Sequence, residues 1–400
     1  MVFELADRSD KPKSSRITIG VDATNIASGG GVAHLREILG NMSPEHKASL
    51  LVIVWGRRSL TEQFEHLHFV TCVNTGFHAG GFIRRTLWQI FLLDREVKRR
   101  GCDILLVPGG VYVGNFKQVV AISQNLLPFD PSSIKRYGWN PIRLKWVVLA
   151  AIQRWTFRRA AGVVFLTDYA HQVVSGGLGR LRSSLVVPHG VSVAFLRPSL
   201  RHTRSFSDLL SRKIKIVYVS TIEFYKNQIS VVRAVDSLRR LHKLDIQLSL
   251  VGPSFAPALR ELERYLVGLD DSKEWIQITG VMSESELVVE YTSSDIGVFA
   301  SSCENLPIIL LEMMASGIPI ACSAYGPMPS VLLDGGLYFN PEDSVSIELT
   351  LERLIRSEDL RHEISERAVR YSQRYDWKKS SSLLFDYIIN ISNTEHYNSA

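Results

Sequence analysis

Residues 295–324 read DIGVFASSCENLPIILLEMMASGIPIACSA. An apolar run, DIGVFASS, leads through polar residues into the helix-forming stretch PIILLEMMA, and a small-residue turn then opens a second apolar run, GIPIACSA. Strand, helix and strand in that order make a βαβ unit. Strands that are apolar throughout, instead of alternating, belong to a parallel sheet covered on both faces. Outward from this unit the same pattern recurs. KIKIVYVST, the helix NQISVVRAVDSLRRLHK, DIQLSLVGP, WIQITGV and GLYFN surround it, and the first half repeats the theme with RITIGVDA, SLLVIVWG, CDILLVPGG, KQVVAISQN, AAGVVFLT and SSLVVPHGV.

The expected fold is therefore α/β: two Rossmann-like, doubly wound domains facing a central cleft, with the carboxyl ends of both sheets turned toward it, where open α/β sheets bind ligands. The expected bounds are 1–200 for the first domain, 201–213 for a polar linker, and 214–376 for the second. Residues 377–400 form a last apolar helix, WKKSSSLLFDYIINI, crossing back to the first domain, and a tail.

Composition narrows the function. The longest unbroken apolar run, WVVLAAI at residues 146–152, is far short of the roughly 18 residues of a bilayer-spanning helix. The first residues carry acids and bases before any apolar stretch, so no signal peptide is read and a cytoplasmic location is expected. Cys72, Cys102, Cys303 and Cys322 stand apart without a CxxC pair, which fits reduced thiols; no structural metal is expected. Residues 1–200 carry a net charge of +12 and residues 201–400 one of −6, which predicts two domains with different partners. Between residues 131 and 200 ten bases face a single acid, Asp168, so this stretch should attract anions. The bases are not grouped with any nucleic-acid reading motif, so no nucleic-acid partner is expected.

The chemistry concentrates at strand ends. Glu304 and Glu312 bracket the start of the helix, and Pro307 suits a first turn, where its missing N–H costs nothing. Backbone N–H groups near Asn305 would then point into the cleft, as a phosphate or a polar sugar edge requires. Glu312 lies inside an otherwise apolar run, where a buried carboxylate needs a partner; a ribose hydroxyl pair is one. Lys226, at the end of the strand IVYVS, can meet a diphosphate as a point charge. In the first half, the loop SGGGVAH (28–34) lets backbone approach a ligand closely, or is a plain turn; it is not a dinucleotide fingerprint, because His34 stands where the last glycine belongs. Gln124 and Asn125 can bond sugar hydroxyls or simply cap a turn. His189 reads as structural.

Taken together, ENLPIILLEMMASGIPI, IVYVSTIEFYKN, VVPHGV and the glycine loop resemble the retaining glycosyltransferases of family 4, the group 1 glycosyl transferases, over nearly the whole chain. The resemblance implies a GT-B fold with a nucleotide-diphosphate sugar held by the second domain and a saccharide or lipid-linked acceptor by the first. It implies no cofactor beyond that donor and no metal. Carried over, Glu312 binds the ribose, Glu304 lies beside the hexose, and the backbone of Asn305, Leu306 and Pro307 holds the sugar. Lys226 neutralises the leaving diphosphate, Gly30 and Gly31 close on it from the other domain, and Val281 and Met282 lie near the base. Catalysis would rest on Glu304 and Lys226 through positioning and charge stabilisation.

Two departures stand out. Ser220, Thr221 and Ile222 replace the common Gly-Arg-Leu, so diphosphate binding leans on Lys226; and amides, Gln124 and Asn125, stand where many members carry a histidine. No general base is assigned, and in the family's front-face mechanism the leaving phosphate takes the acceptor proton. The stretch at 140–160 mixes tryptophans, aliphatics and bases, which suits either an interfacial helix on anionic lipid at the inner face of the cytoplasmic membrane or a core helix with a wet basic side. Surface polysaccharide assembly (O-antigen, lipopolysaccharide or capsule) is the expected setting. A non-catalytic nucleotide- or glycan-binding module on the same fold is the alternative.

Overall fold

The computed structural model describes residues 16–26, 30–74, 81–139, 141–196, 207–208, 212–269 and 273–398. Its strands form two sheets. The first contains β1 (Ile17–Asp22), β2 (Leu50–Gly56), β3 (Val70–Asn74), β4 (Ile104–Val107), β5 (Val119–Ser123), β6 (Gly162–Phe165) and β7 (Ser184–Val186), in the order β3-β2-β1-β4-β5-β6-β7. The second contains β8 (Ile214–Val219), β9 (Ile246–Val251), β10 (Ile276–Gly280), β11 (Ile296–Phe299), β12 (Ile320–Ser323) and β13 (Leu337–Phe339), in the order β10-β9-β8-β11-β12-β13. Every recorded strand pair is parallel. Parallel neighbours need crossovers, and helices supply them on both faces, so the central strands are buried on both sides and read as unbroken apolar runs.

Both sheets reverse strand order at their first strand: β1 lies between β2 and β4, and β8 between β9 and β11. A crevice opens at such a switch point. Gly252, just past β9, has φ +135, and a side chain there would strike the Ser220 carbonyl that follows β8. Only glycine lets the two strand exits run this close.

The helix Trp377–Asn398 lies on the first sheet's domain. Ser381 Oγ donates to Ile38 O at 2.8 Å, Ser380 Oγ to Pro188 O at 2.6 Å, and Tyr387 OH meets Ser183 Oγ at 3.0 Å. A Cβ on Gly190 would collide with the Trp377 backbone, so glycine sets the crossing point. Of the expected linker at 201–213, residues 201–206 and 209–211 lie outside the described residues, as do residues 1–15 and the tail 399–400. Among the described residues no helix is long and apolar enough to cross a membrane.

Candidate active site

After β8 the chain makes a short turn, Phe224–Lys226, and Asn227 then takes the left-handed conformation (φ 52, ψ 35) from which the helix Gln228–His242 starts. Asparagine tolerates that conformation, and here its amide also ties two strand exits together. Asn227 Nδ2 donates to Ala300 O at 2.7 Å and to Ser302 Oγ at 2.8 Å, both just beyond β11. β11 pairs with β8, so this link brings the Lys226 turn against the loop that carries Glu304. Lys226 Nζ and Glu304 Oε1 form an ion pair, with side chains only 11% and 15% exposed. The ammonium also lies 5.2 Å and 5.5 Å from the ring centroids of Tyr225 and Phe299. A desolvated cation so placed would bind a diphosphate strongly.

The loop from Glu304 runs into the helix Ile308–Ala315. Pro307 has ψ 89 and stands immediately before this helix, not in its first turn as expected; its carbonyl accepts from Leu311 N at 3.2 Å. Leu306 is buried against the core. Asn305 is buried and gripped by the first domain: its Nδ2 donates to Ser123 O at 2.6 Å, and its carbonyl accepts from Thr167 Oγ1 at 3.0 Å. Asn305 Oδ1 is buried with no hydrogen-bond partner, an acceptor left for a hydroxyl.

Glu312 follows one turn into that helix. Its Oε2 is shut off from solvent, with the Tyr291 hydroxyl as its polar neighbour. Burial pushes its pKa up to about 8, Glu284 adds to the rise, and the Tyr291 hydroxyl opposes it. Such a carboxyl releases its proton readily once a ligand donates hydrogen bonds to it. Val281 and Met282 follow the edge strand β10, Val281 exposed and Met282 partly buried, just before the cap Ser283 of the helix Glu284–Ser293 that carries Glu284 and Tyr291.

From the first domain, Gly30 and Gly31 open the helix Gly30–Gly40, where a loop was expected; Gly29 and Ser28 lie outside the described residues. The first N–H groups of a helix have no internal partner, so both glycines present donors. A Cβ on Gly30 would lie 3.9 Å from Ile308 Cδ1, and one on Gly31 3.7 Å from Gln124 Oε1. The glycines, Gln124 and the start of the Glu312 helix therefore meet across the cleft. Gln124 Nε2 lies 2.9 Å from His34 Nδ1. Burial lowers the His34 pKa to about 4, which keeps the ring neutral and able to accept that hydrogen bond. His34 stacks on His189 at 4.5 Å, and His189 on Trp377 at 5.2 Å, so His189 is a packing residue between the glycine helix and the C-terminal helix. Asn125 Oδ1 accepts from Leu127 N at 3.0 Å and caps that turn, the plainer of its two readings.

The sequence pattern did not single out Ser123, Thr167 or Arg136. Arg136 reaches from the first domain into the second: Nη1 donates to Asn227 Oδ1 at 2.7 Å and to Phe224 O at 3.2 Å, and Nη2 donates to Ser302 Oγ at 3.2 Å and pairs with Glu342. It is one of ten bases in its stretch, and nothing in the spacing marks it. Only Asp130 and Pro131, which cap and open the short helix Pro131–Lys135, hint that Arg136 ends a fixed element.

Residues 202–371 match the family model described as "Glycosyl transferases group 1". O-antigen chain mannosyltransferase B of Escherichia coli is 23% identical over 166 residues, 42% of this chain and 43% of that protein. Alpha-monoglucosyldiacylglycerol synthase of Streptococcus pneumoniae is 27% identical over 215 residues, 51% of this chain and 47% of that protein. The chain thus spans less than half the length of these curated relatives. HepE of Anabaena, solved in complex with UDP and glucose, matches 93% of this chain and 99% of its own with a TM-score of 0.67 at 15% identity. At that identity the likeness is one of fold, and the fold is GT-B.

Proposed function

We propose, for a chain whose residues 202–371 belong to the group 1 glycosyl transferases, a retaining enzyme that moves a hexose-type sugar from a nucleotide-diphosphate donor to a saccharide or lipid-linked saccharide. The observation that carries this reading is the meeting, across one cleft, of the Lys226–Glu304 pair, the helix start at Gly30 and Gly31, and Gln124. The donor diphosphate lies between Lys226 and the glycine N–H groups. The ribose hydroxyls donate to Glu312, with the base toward Val281 and Met282, and the hexose lies beside Glu304 and the Asn305–Pro307 backbone. The acceptor hydroxyl approaches from the side of Gln124.

As the bond from the anomeric carbon to the leaving phosphate oxygen breaks, a bond to the acceptor oxygen forms on the same face. The acceptor proton passes to the departing diphosphate, so no protein base is needed. The charge that develops on the diphosphate is met by Lys226 and the helix N-terminus, a metal-independent arrangement. The names of the relatives support the setting: one builds O-antigen chains, and another is a diacylglycerol glycolipid synthase. Surface polysaccharide assembly at the inner face of the cytoplasmic membrane fits the first, and a lipid-linked acceptor fits the second.

The test is calorimetric titration with UDP, GDP, ADP, CMP and dTDP, followed by transfer assays with the sugar nucleotides of whichever one binds. Lys226→Ala and Glu304→Ala should abolish transfer in folded protein, and full turnover in both would refute the assignment. A non-catalytic module is favoured by the two departures, Ser220-Thr221-Ile222 in place of Gly-Arg-Leu and the amides Gln124 and Asn125 in place of a histidine. It predicts nucleotide binding without turnover on any acceptor.

A further inference from the structure

The helix Pro141–Arg159 buries Ala150 and Phe157 on its inner face yet leaves a line of large apolar side chains in solvent. Toward the protein it buries Gln153 and Thr156, whose side chains bond Gly109 O at 3.3 Å and both the N–H and the carbonyl of Tyr112 at 3.0 Å. Toward solvent it turns Leu144 (64% exposed), Val147, Val148 and Trp155, and Trp139 just before it is 94% exposed. At about 100° per residue, Leu144, Val148 and Trp155 fall on one line along the helix. The bases Arg143, Lys145, Arg154, Arg158 and Arg159 flank that line, and the helix holds no acid. The Arg143 guanidinium lies 4.4 Å from the Trp139 ring centroid and that of Arg159 lies 4.3 Å from Trp155.

A second helical segment, Gly81–Trp88 continued by Gln89–Leu93, buries Trp88, Gln89 and Leu93, with Gln89 donating to Val111 O at 3.0 Å and Asp22 Oδ2 at 2.7 Å, and likewise exposes apolar side chains, Leu87, Ile90 and Phe91, together with Arg84. Both segments are tied to residues 109–112 at the exit of β4, so both apolar faces belong to the carboxyl rim of the first sheet, where Gln124 also lies.

We infer that these two faces dock the protein on an anionic bilayer. A second copy of this chain is a poor occupant, because a self-interface would set five bases against five. Aromatic and aliphatic side chains edged by cations match the acyl–headgroup boundary of an anionic leaflet. Only one consequence rests on the transferase reading: a lipid-linked acceptor would keep its tail in the bilayer while its head reaches Gln124.

The experiment is flotation of the full chain with phosphatidylcholine vesicles, with and without phosphatidylglycerol. Binding should require phosphatidylglycerol and weaken with salt. Leu144→Asp with Val148→Asp should lower it at least about tenfold, and Arg143→Ser with Arg159→Ser should weaken both the binding and its salt dependence, with thermal melting confirming that each variant is folded. Absence of binding, equal binding to neutral vesicles, or variants that bind as the parent does would each overturn the inference. So would a dimer in solution that Leu144→Asp splits. Vesicle binding without nucleotide binding would leave this inference standing and remove the transferase reading; nucleotide turnover without vesicle binding would do the reverse.

Discussion

Glu312 makes the ribose assignment testable by pH. With its carboxyl pKa raised to about 8, mainly by burial, about one molecule in ten carries the ionised form at pH 7 and about one in a hundred at pH 6. Ribose hydroxyls donate hydrogen bonds, so the nucleotide selects the ionised form, and binding must first expel the proton. Affinity for a nucleoside diphosphate should therefore rise roughly a hundredfold from pH 6 to a plateau above pH 8, with about tenfold of that between pH 7 and the plateau. Calorimetry at pH 7 in two buffers of different ionisation enthalpy should show close to one proton released per nucleotide. Glu312→Gln should release none and lose the steep pH dependence, leaving only the shallow titration of the nucleotide's own terminal phosphate. If the parent protein binds equally well at pH 6 and pH 9, or if the slope survives in Glu312→Gln, the carboxyl does not face the ribose.

The same residue affects folding. Its folded pKa lies above its unfolded value, so the native state holds the extra proton between about pH 4.5 and 8 and stability falls as pH rises through that window. Glu312→Gln should accordingly stabilise the protein above pH 7, by about 1–2 kcal/mol once part-exposure is discounted, and leave it unchanged near pH 4, as followed by urea unfolding. Lys226→Ala should lose both nucleotide binding and transfer, whereas Glu304→Ala, which frees the ammonium of its competing carboxylate, should lose transfer while binding the nucleotide no more weakly; titration and turnover on the same preparations separate the two. Trp377→Ala should open a cavity beside the His34–His189 stack and cost about 3–5 kcal/mol, read as a lowered melting temperature. Asn305→Ala removes the donor to Ser123 O and should cost about 1–3 kcal/mol while raising amide exchange in the loop at 301–307.

Strands were legible where burial on both faces leaves an unbroken apolar run, as in ILLV of β4 and IGVF of β11. β3, VTCVN, escaped notice because an edge strand is half-exposed and carries Thr and Asn; only its pairing with β2 reveals it. Glu312 stood out because a charge inside an apolar helix is conspicuous, and Glu304 because it is the acid at the exit of a buried strand. The start of the glycine helix was not legible, because Gly30 and Gly31 disfavour helix by about 1 kcal/mol each, yet the helix Gly30–Gly40 begins at them. The stretch at 140–160 left two readings open, because composition does not say which side of a helix faces inward. The structure turns Ala150, Gln153, Thr156 and Phe157 inward and leaves Leu144, Val147 and Val148 in solvent.

The contacts that assemble the site join residues far apart in sequence. Arg136 lies 91 positions from Asn227 and 166 from Ser302, and Asn305 lies 182 from Ser123. No periodicity encodes such pairs. They converge on one loop: Ser302 is held by Asn227 and Arg136, Glu304 by Lys226, and Asn305 by Ser123 and Thr167. The loop that carries Glu304 is therefore held from both domains, and the proposed site draws on Ser123, Gln124, Arg136 and Thr167 outside residues 202–371.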